Sequence, residues 1–141
     1  MVRVNVSITN VSAERFWDTR KAIPPIKINT NLNLVNMEKR TEDFLEVPFV
    51  LTVNYNPSIA QISLKGKAFV KGKEDEISKI HQGYKKKEPP PRIVVQSISN
   101  VVFAESVLIS KTLNIPPPIP LPVIPSEKIS EKKRSRLEYT T

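Results

Sequence analysis

Apolar and polar residues alternate along four stretches of the chain, which is the period-two pattern of half-buried β-strands. The apolar set of the first stretch is Val2, Val4, Val6 and Ile8, and the later stretches span residues 26–34, 45–55 and 62–70. The turn-forming residues 54–58 join the last two stretches in a hairpin, and the charged residues 38–43 make a second turn. The pattern predicts a four-stranded antiparallel sheet with one buried face and one polar face.

A long apolar segment at residues 92–114 is the candidate cover for the buried face. Three prolines precede it, which suits a helix start, and its apolar residues recur at spacings of three and four. The residues of this expected buried face are Val94, Ile98, Val101, Val102, Leu108 and Ile109. Many β-branched residues make a buried strand the competing interpretation, but about 20 residues without a turn is too long for a strand. The fold class predicted is therefore α+β, with the sheet packed on one long helix.

The segment that follows, residues 115–125, contains six prolines and can be neither a helix nor a central strand. We expect an extended polyproline strap whose apolar side chains dock on a surface; they are Ile115, Ile119, Leu121, Val123 and Ile124. Covering the protein's own core is the favoured interpretation, and a ligand for an SH3-type partner is the alternative. Residues 1–125 then form one domain, and residues 126–141 form a basic tail.

The composition argues against most catalytic sites. The chain of 141 residues has no cysteine and a single histidine, so it lacks thiolate or multi-histidine metal ligands. No Gly-rich phosphate loop and no nucleophile–base pair stands in the sequence. We expect a non-enzymatic protein with no cofactor, no metal and no small-molecule substrate. The lack of 18 uninterrupted apolar residues and of an apolar leader predicts a soluble cytoplasmic protein that does not enter a membrane.

Positive charge is the main indication of a partner, because the chain has a formal net charge of +8. Four lysines occupy odd-numbered positions in or just beyond the fourth strand: Lys65, Lys67, Lys71 and Lys73. Neighbours in such a row project from the solvent face about 6.6 Å apart, close to the spacing of phosphates along a nucleic acid. Phe69 interrupts the row as a possible stacking surface for a base. The alternative is an edge strand protected by lysines, with an ordinary buried phenylalanine.

Two further basic clusters extend this picture. They are Lys85, Lys86 and Lys87 in a loop, and Lys132, Lys133, Arg134 and Arg136 in the tail. Lysine outnumbers arginine in the strand and the loop, which favours contact with phosphates over reading of bases, and so favours structured RNA. A ribosome offers a large anionic surface that orders basic extensions. The sequence therefore predicts a structural protein of the ribosome, bound to ribosomal RNA and neighbouring ribosomal proteins. The ribosome expected is archaeal, with the protein on its large subunit. The cysteine-free, methionine-poor and proline-rich composition suits a hot environment.

The order of elements resembles the SecB chaperone family. The similar segments are residues 7–16 (SITNVSAERF), 66–74 (GKAFVKGKE), 89–95 (PPPRIVV) and 113–125 (LNIPPPIPLPVIP). The resemblance implies an antiparallel Greek-key sheet on a long helix. It also implies an apolar groove beside the proline loop that holds unfolded chains, and protomers that pair into dimers and tetramers.

The chain departs from that family in two respects. SecB proteins are strongly acidic whereas this chain is basic, and a short basic tail replaces the second C-terminal helix. The alternative to the ribosomal hypothesis is therefore a SecB-like holdase that binds unfolded polypeptides at the apolar side chains of the strap, Ile115, Ile119, Leu121, Val123 and Ile124.

Overall fold

A single antiparallel sheet and two helices make up the computed structural model, which describes residues 2–118. The strands are β1 (Arg3–Arg15), β2 (Lys27–Leu34), β3 (Glu38–Thr41), β4 (Phe44–Asn56) and β5 (Ala60–Lys71), and the helices are α1 (Glu74–Lys85) and α2 (Arg92–Leu113). The strand order is β1-β5-β4-β2, and the short β3 pairs with β4 beyond the end of β2. The first strand thus returns beside the last, as in a Greek key. The predicted α+β fold with an antiparallel sheet is confirmed.

The two central strands carry the core. Along β4 and β5, buried residues alternate with exposed or half-buried ones. The inner side chains of β4 run from Leu45 to Tyr55 and are at most 3% exposed, and they oppose the inner side chains of β5 from Ile62 to Val70. The alternation read from the sequence therefore assigned the correct face to both strands, because each has a single solvated side.

The long helix α2 begins at the predicted residue and ends one residue earlier than predicted. Its fully buried apolar residues are Val94, Ile98 and Val102, and the same line continues through Ser106 and Ser110. The hydroxyl of each serine donates a hydrogen bond to the carbonyl oxygen four residues earlier, at 2.7 and 2.8 Å. These small, internally satisfied side chains let the second half of the helix lie close to the sheet.

The prediction that two residues of this helix face the core was wrong. Val101 is 36% exposed and Leu108 is 60% exposed. The buried line advances by four residues at each step, so it passes through Val102 rather than Val101, and through Ser106 and Ser110 rather than Leu108. By length and composition α2 could also cross a membrane, with a mean hydropathy of 1.6, but its inner side packs on β1 and β5.

Two elements were not predicted. β3 forms where a charged turn was expected, and it pairs with the start of β4 through Glu38 and Lys39. The helix α1 precedes the predicted one and turns the single-helix prediction into two helices. Three acidic residues in its first turn and Lys85 in its last turn complement the helix dipole, and Ile77 anchors it in the core.

Candidate functional site

The edge strand β2 presents a partly covered apolar surface on the inner side of the sheet. Its inner residues are Ile28, Thr30, Leu32 and Leu34, which we call the β2 strip. The three apolar residues are half-buried and pack against the core, while Thr30 is exposed. Helix α2 lies mainly over β1 and β5, and α1 touches β3 and β4. Neither helix therefore covers the strip as fully as α2 covers the central strands.

A cleft of about 410 Å³ opens at the Leu34 end of the β2 strip. We call it the α1 cleft; its walls are Leu34, Val35, Met37, Val47, Ile80, Tyr84, Lys85, Lys87, Glu88 and Pro90. Val35 is 42% exposed and Tyr84 is 38% exposed, so apolar surface remains open to solvent there. Strip and cleft together form a continuous surface suited to apolar side chains on an extended chain, with lysines at one end.

The chain that leaves α2 is held by side chains of two strands, Arg15 of β1 and Tyr55 of β4. The side chain of Arg15, at the end of β1, donates hydrogen bonds to the carbonyl oxygens of Leu113 (3.1 Å) and Asn114 (2.7 Å). Asn114 has the left-handed conformation that ends the helix, with φ of 57°. Two residues later, the hydroxyl of Tyr55 on β4 donates a 2.6 Å hydrogen bond to the carbonyl oxygen of Pro116. Side chains of β1 and β4 therefore hold the chain that leaves α2.

The predicted polypeptide-binding residues can be placed only in part. Ile115 is 6% exposed and belongs to the core, so it is not free to meet a client. Ile119, Leu121, Val123 and Ile124 lie outside the described residues. Among the described residues, the apolar surface open to a partner includes the β2 strip, which the sequence analysis assigned only to the sheet.

Much of the predicted lysine row lies on the outer face of the sheet, opposite the helices. Lys65, Lys67 and Lys71 are exposed there, and Phe69 lies half-buried between them. Lys73 does not continue the row, because it follows β5 and caps the N-terminus of α1. Its backbone N–H donates a 3.1 Å hydrogen bond to the carboxylate of Glu76.

An aromatic pair and two cations form a shallow cleft at one end of this outer face. The ring of Phe69 stacks on that of Phe44, with centroids 5.5 Å apart and planes 6° from parallel. One face of Phe69 is therefore occupied by a ring of the protein. Beside the pair, a cleft of about 590 Å³ is lined by Arg3, Val4, Asn5, Phe44, Phe69 and Lys71. We call it the Phe44–Phe69 cleft.

Charges on the outer face are not uniformly neutralised. Glu46 accepts hydrogen bonds from both Nε and Nη2 of Arg40 at 3.2 Å, and it pairs with Lys67 at 3.3 Å. Arg40, and then Lys67, hold the pKa of this carboxyl below its usual value. By contrast, Arg3 and Lys71 stand directly opposite each other on β1 and β5, and neither pairs with a carboxylate of residues 2–118. Like charges placed in this way repel, so an anion between them would be favoured.

The other predicted basic clusters do not join the outer face. Lys85 ends α1 and Lys86 and Lys87 follow it, and two of the three line the α1 cleft on the helical side of the sheet. The tail residues Lys132, Lys133, Arg134 and Arg136 lie outside the described residues. Within residues 2–118, His, Asp and Glu side chains form no group of three suited to a metal ion.

The sequence analysis missed Arg3 and Phe44 as companions of Lys71 and Phe69. Both stand on the polar side of alternating strands, so the signal for their face was present. The strand order that makes β1 and β4 the two neighbours of β5 could not be read from the alternation.

Comparison with solved structures identifies the fold. The chain is similar to the Mycobacterium tuberculosis SecB-like chaperone Rv1957, solved in complex with a ChAD peptide from the Rv1956 HigA1 antitoxin. The TM-score is 0.56 at 9% sequence identity, over 88% of each chain. The fold is therefore SecB-like, as the sequence resemblance implied. No family model matches the chain, and no curated protein matches it either.

Proposed function

We propose that this protein binds unfolded polypeptide segments as a SecB-like holdase in the cytoplasm. The observation that carries the proposal is an open apolar surface, the β2 strip and the α1 cleft, on a fold shared with a chaperone solved with a bound peptide. The basic tail and the ribosome are not needed for this activity.

The binding follows from the geometry of an edge strand. An extended client segment can lie along β2, where its main chain meets unpaired strand groups and every second side chain meets the β2 strip. A larger apolar anchor would enter the α1 cleft between Val35 and Tyr84. Main-chain pairing is insensitive to sequence, and the strip selects only apolar side chains. Such a site suits many unfolded clients rather than one folded partner.

The test is suppression of aggregation. An unfolded substrate diluted from denaturant is followed by light scattering, with and without a stoichiometric amount of the full chain. We expect scattering to fall in proportion to added protein, and to the same extent in low and high salt because the contact is apolar. Unchanged scattering at stoichiometric protein would remove the holdase proposal.

A second candidate function is RNA binding by the outer face, and one specific observation favours it. Arg3 opposes Lys71 without a carboxylate partner in the described residues, beside the stacked Phe44–Phe69 pair. A phosphate between the two cations would relieve their repulsion, and a base could lie against the aromatic pair. The full proposal is that the protein is a structural component of the ribosome, whose outer face and basic tail contact ribosomal RNA.

Sedimentation of a cell extract through a sucrose gradient tests the ribosomal proposal. At low salt the protein should travel with ribosomal particles, and it should leave them as salt is raised. Recovery only at the top of the gradient at low salt would eliminate it.

A further inference from the structure

We propose that the α1 cleft selects clients in which acidic residues adjoin an apolar anchor, because two lysines of the cleft bind their carboxylates. This inference rests on the holdase function and names its substrate class. The occupant is thus a stretch of unfolded polypeptide that is apolar along its length and acidic at one end, rather than any apolar stretch.

The α1 cleft has an apolar interior that is open to solvent. Met37 and Val47 form its inner wall and are 6% and 1% exposed, so they belong to the core. Val35 and Tyr84 line the same cleft and are exposed, and the Tyr84 hydroxyl lies 3.5 Å from the side-chain oxygen of Asn36. A cavity of about 410 Å³ with such walls accepts a large aliphatic or aromatic side chain of a client.

The charge at the mouth of the cleft is positive. Lys85 and Lys87 line the cleft and are exposed, and Lys86 stands between them in the chain. None of the three forms an ion pair with a carboxylate in the part of the chain that the structure describes. Glu88 also lines the cleft, but its carboxylate lies against α1, where a Cβ at Gly83 would be 2.9 Å from it. One acidic group beside three lysines leaves an excess of positive charge, which favours a ligand that carries carboxylates.

The backbone of Lys87 supports a role for its side chain. Lys87 has the left-handed conformation, with φ of 62°, two residues after the end of α1. Its N–H donates a 2.9 Å hydrogen bond to the carbonyl oxygen of Tyr84, and the next N–H donates one of 2.9 Å to that of Gly83. Glycine is the usual residue at such a helix end, because a Cβ costs stability there. The lysine therefore has a cost in stability that binding at the cleft would explain.

The place of the cleft on the surface fixes where the acidic residues must stand. The cleft opens at the Leu34 end of the β2 strip, so a client that lies along the strip meets the lysines at one end only. The strip itself carries no charged side chain, and a carboxylate held over its middle would lose water without gaining a partner. The surface therefore favours clients whose acidic residues come directly before or after the apolar stretch.

Three dye-labelled peptides test this substrate class on the full chain. They share a core of leucine and phenylalanine, and they carry two aspartates, two glutamines or two lysines at each end. By fluorescence anisotropy, we expect the aspartate peptide to bind at least about fivefold more tightly than the lysine peptide, with the glutamine peptide between them. Added salt should reduce this preference and leave the affinity for the glutamine peptide unchanged, because only the charged contacts are screened.

Two double variants of equal net charge separate the cleft from the overall charge of the chain. Lys85→Gln with Lys87→Gln removes the cations of the cleft, whereas Lys79→Gln with Lys86→Gln removes two exposed lysines that do not line it. The first variant should reduce the preference for aspartate to about twofold or less, and the second should keep it. Lys87→Gly should weaken the preference while its urea midpoint rises, because glycine relieves the left-handed backbone.

The outcomes separate this inference from the holdase proposal. Equal affinities for the aspartate and lysine peptides would overturn the inference, and so would an equal loss of preference in both double variants. If the glutamine peptide still binds in those cases, the holdase proposal stands without the selectivity. If the aspartate peptide alone binds, and only to proteins that keep Lys85 and Lys87, the selectivity stands and the holdase proposal fails. Displacement of the aspartate peptide by an equal concentration of single-stranded oligonucleotide would assign the lysines to nucleic acid and overturn the inference.

Discussion

The hydroxyl of Tyr55 donates a 2.6 Å hydrogen bond to the carbonyl oxygen of Pro116, and this bond attaches the chain beyond α2 to the end of strand β4. Burial raises the pKa of Tyr55 above its ordinary value, and the nearby Ser110 hydroxyl opposes that effect only in part. The bond therefore has consequences both for stability and for its dependence on pH.

Replacing Tyr55 with phenylalanine should lower the free energy of unfolding by about 1–2 kcal/mol, because the Pro116 carbonyl loses its donor in a partly buried position. The raised pKa gives a second signature. The neutral tyrosine stabilises the fold below its unfolded pKa of about 10, and that contribution is lost as pH rises towards the folded pKa. Urea unfolding at pH 7 and pH 10.5 should show a smaller loss of stability on alkalinisation in Tyr55→Phe than in the natural chain.

The control is Tyr84→Phe. The Tyr84 hydroxyl is exposed and meets Asn36 only at 3.5 Å. We expect its free energy of unfolding to stay within about 0.5 kcal/mol of the natural value. Equal effects of the two substitutions would contradict the role given to the Pro116 contact.

We expect every substitution of Arg15, including lysine, to lower the stability of the fold. Its guanidinium donates to four main-chain carbonyl oxygens, those of Trp17, Asp18, Leu113 and Asn114, at 2.7–3.3 Å. An ammonium group cannot reproduce this planar set of donors. Arg15→Lys should cost about 1–3 kcal/mol of stability in urea unfolding. Arg20→Lys is the control, since Arg20 is an exposed residue that pairs within residues 2–118 with Asp18 only, and it should change stability by no more than about 0.5 kcal/mol.

Gly66 should tolerate no side chain, because β1 passes too close to it. A Cβ there would collide with the carbonyl oxygen of Ser7 and would lie 2.6 Å from the ring of Phe49. Gly66→Ala should therefore destabilise the fold by about 1–3 kcal/mol, as overpacking does. At Gly83 in α1, a Cβ meets only the flexible end of Glu88, so Gly83→Ala should raise stability by up to about 1 kcal/mol. Thermal unfolding of both variants checks the opposite signs.

The outer face predicts a specific salt dependence of RNA affinity. If Lys71 and Arg3 each neutralise a phosphate, the log–log slope of affinity for a single-stranded oligonucleotide should fall by about 0.7 for each one removed. Lys71→Ala should show one such step, and Arg3→Ala with Lys71→Ala should show two. Lys79→Ala, an exposed residue of α1, should leave the slope unchanged. A single slope shared by all four proteins would argue against this surface.

The fold was predictable where every second residue is apolar, and unpredictable where that pattern breaks. The inner positions of β4 and β5 are apolar except for Gly66, so these faces were assigned correctly although Val50 and Phe69 stand on the outer face. In β1 a bulge between Ile8 and Asn10 shifts the register by one residue, which hid the second half of that strand. β3 is short and entirely polar or charged, and its pairing depends on β4 rather than on a local pattern.

The two candidate sites were less predictable than the fold. The β2 strip and the Phe44–Phe69 cleft each depend on which strands are neighbours in the sheet. Lysines at odd positions of β5 were expected on the solvent face, and Lys65, Lys67 and Lys71 lie there. The partners of that row, Arg3 and Phe44, are set by strand order, which a single sequence does not contain. The β2 strip is open because β2 lies at an edge, away from α2, and that too is a property of the assembled sheet.

The affinity of an apolar, unstructured peptide for two single-residue variants tests the central claim most directly. Thr30→Asp places a carboxylate in the middle of the β2 strip, whereas Asn31→Asp places the same group one residue away on the outer face. We predict that Thr30→Asp weakens peptide binding by about tenfold or more, because the client would bury an unpaired charge. Asn31→Asp should bind the peptide like the natural chain. Equal affinities for all three proteins, with both variants folded by circular dichroism, would contradict the account.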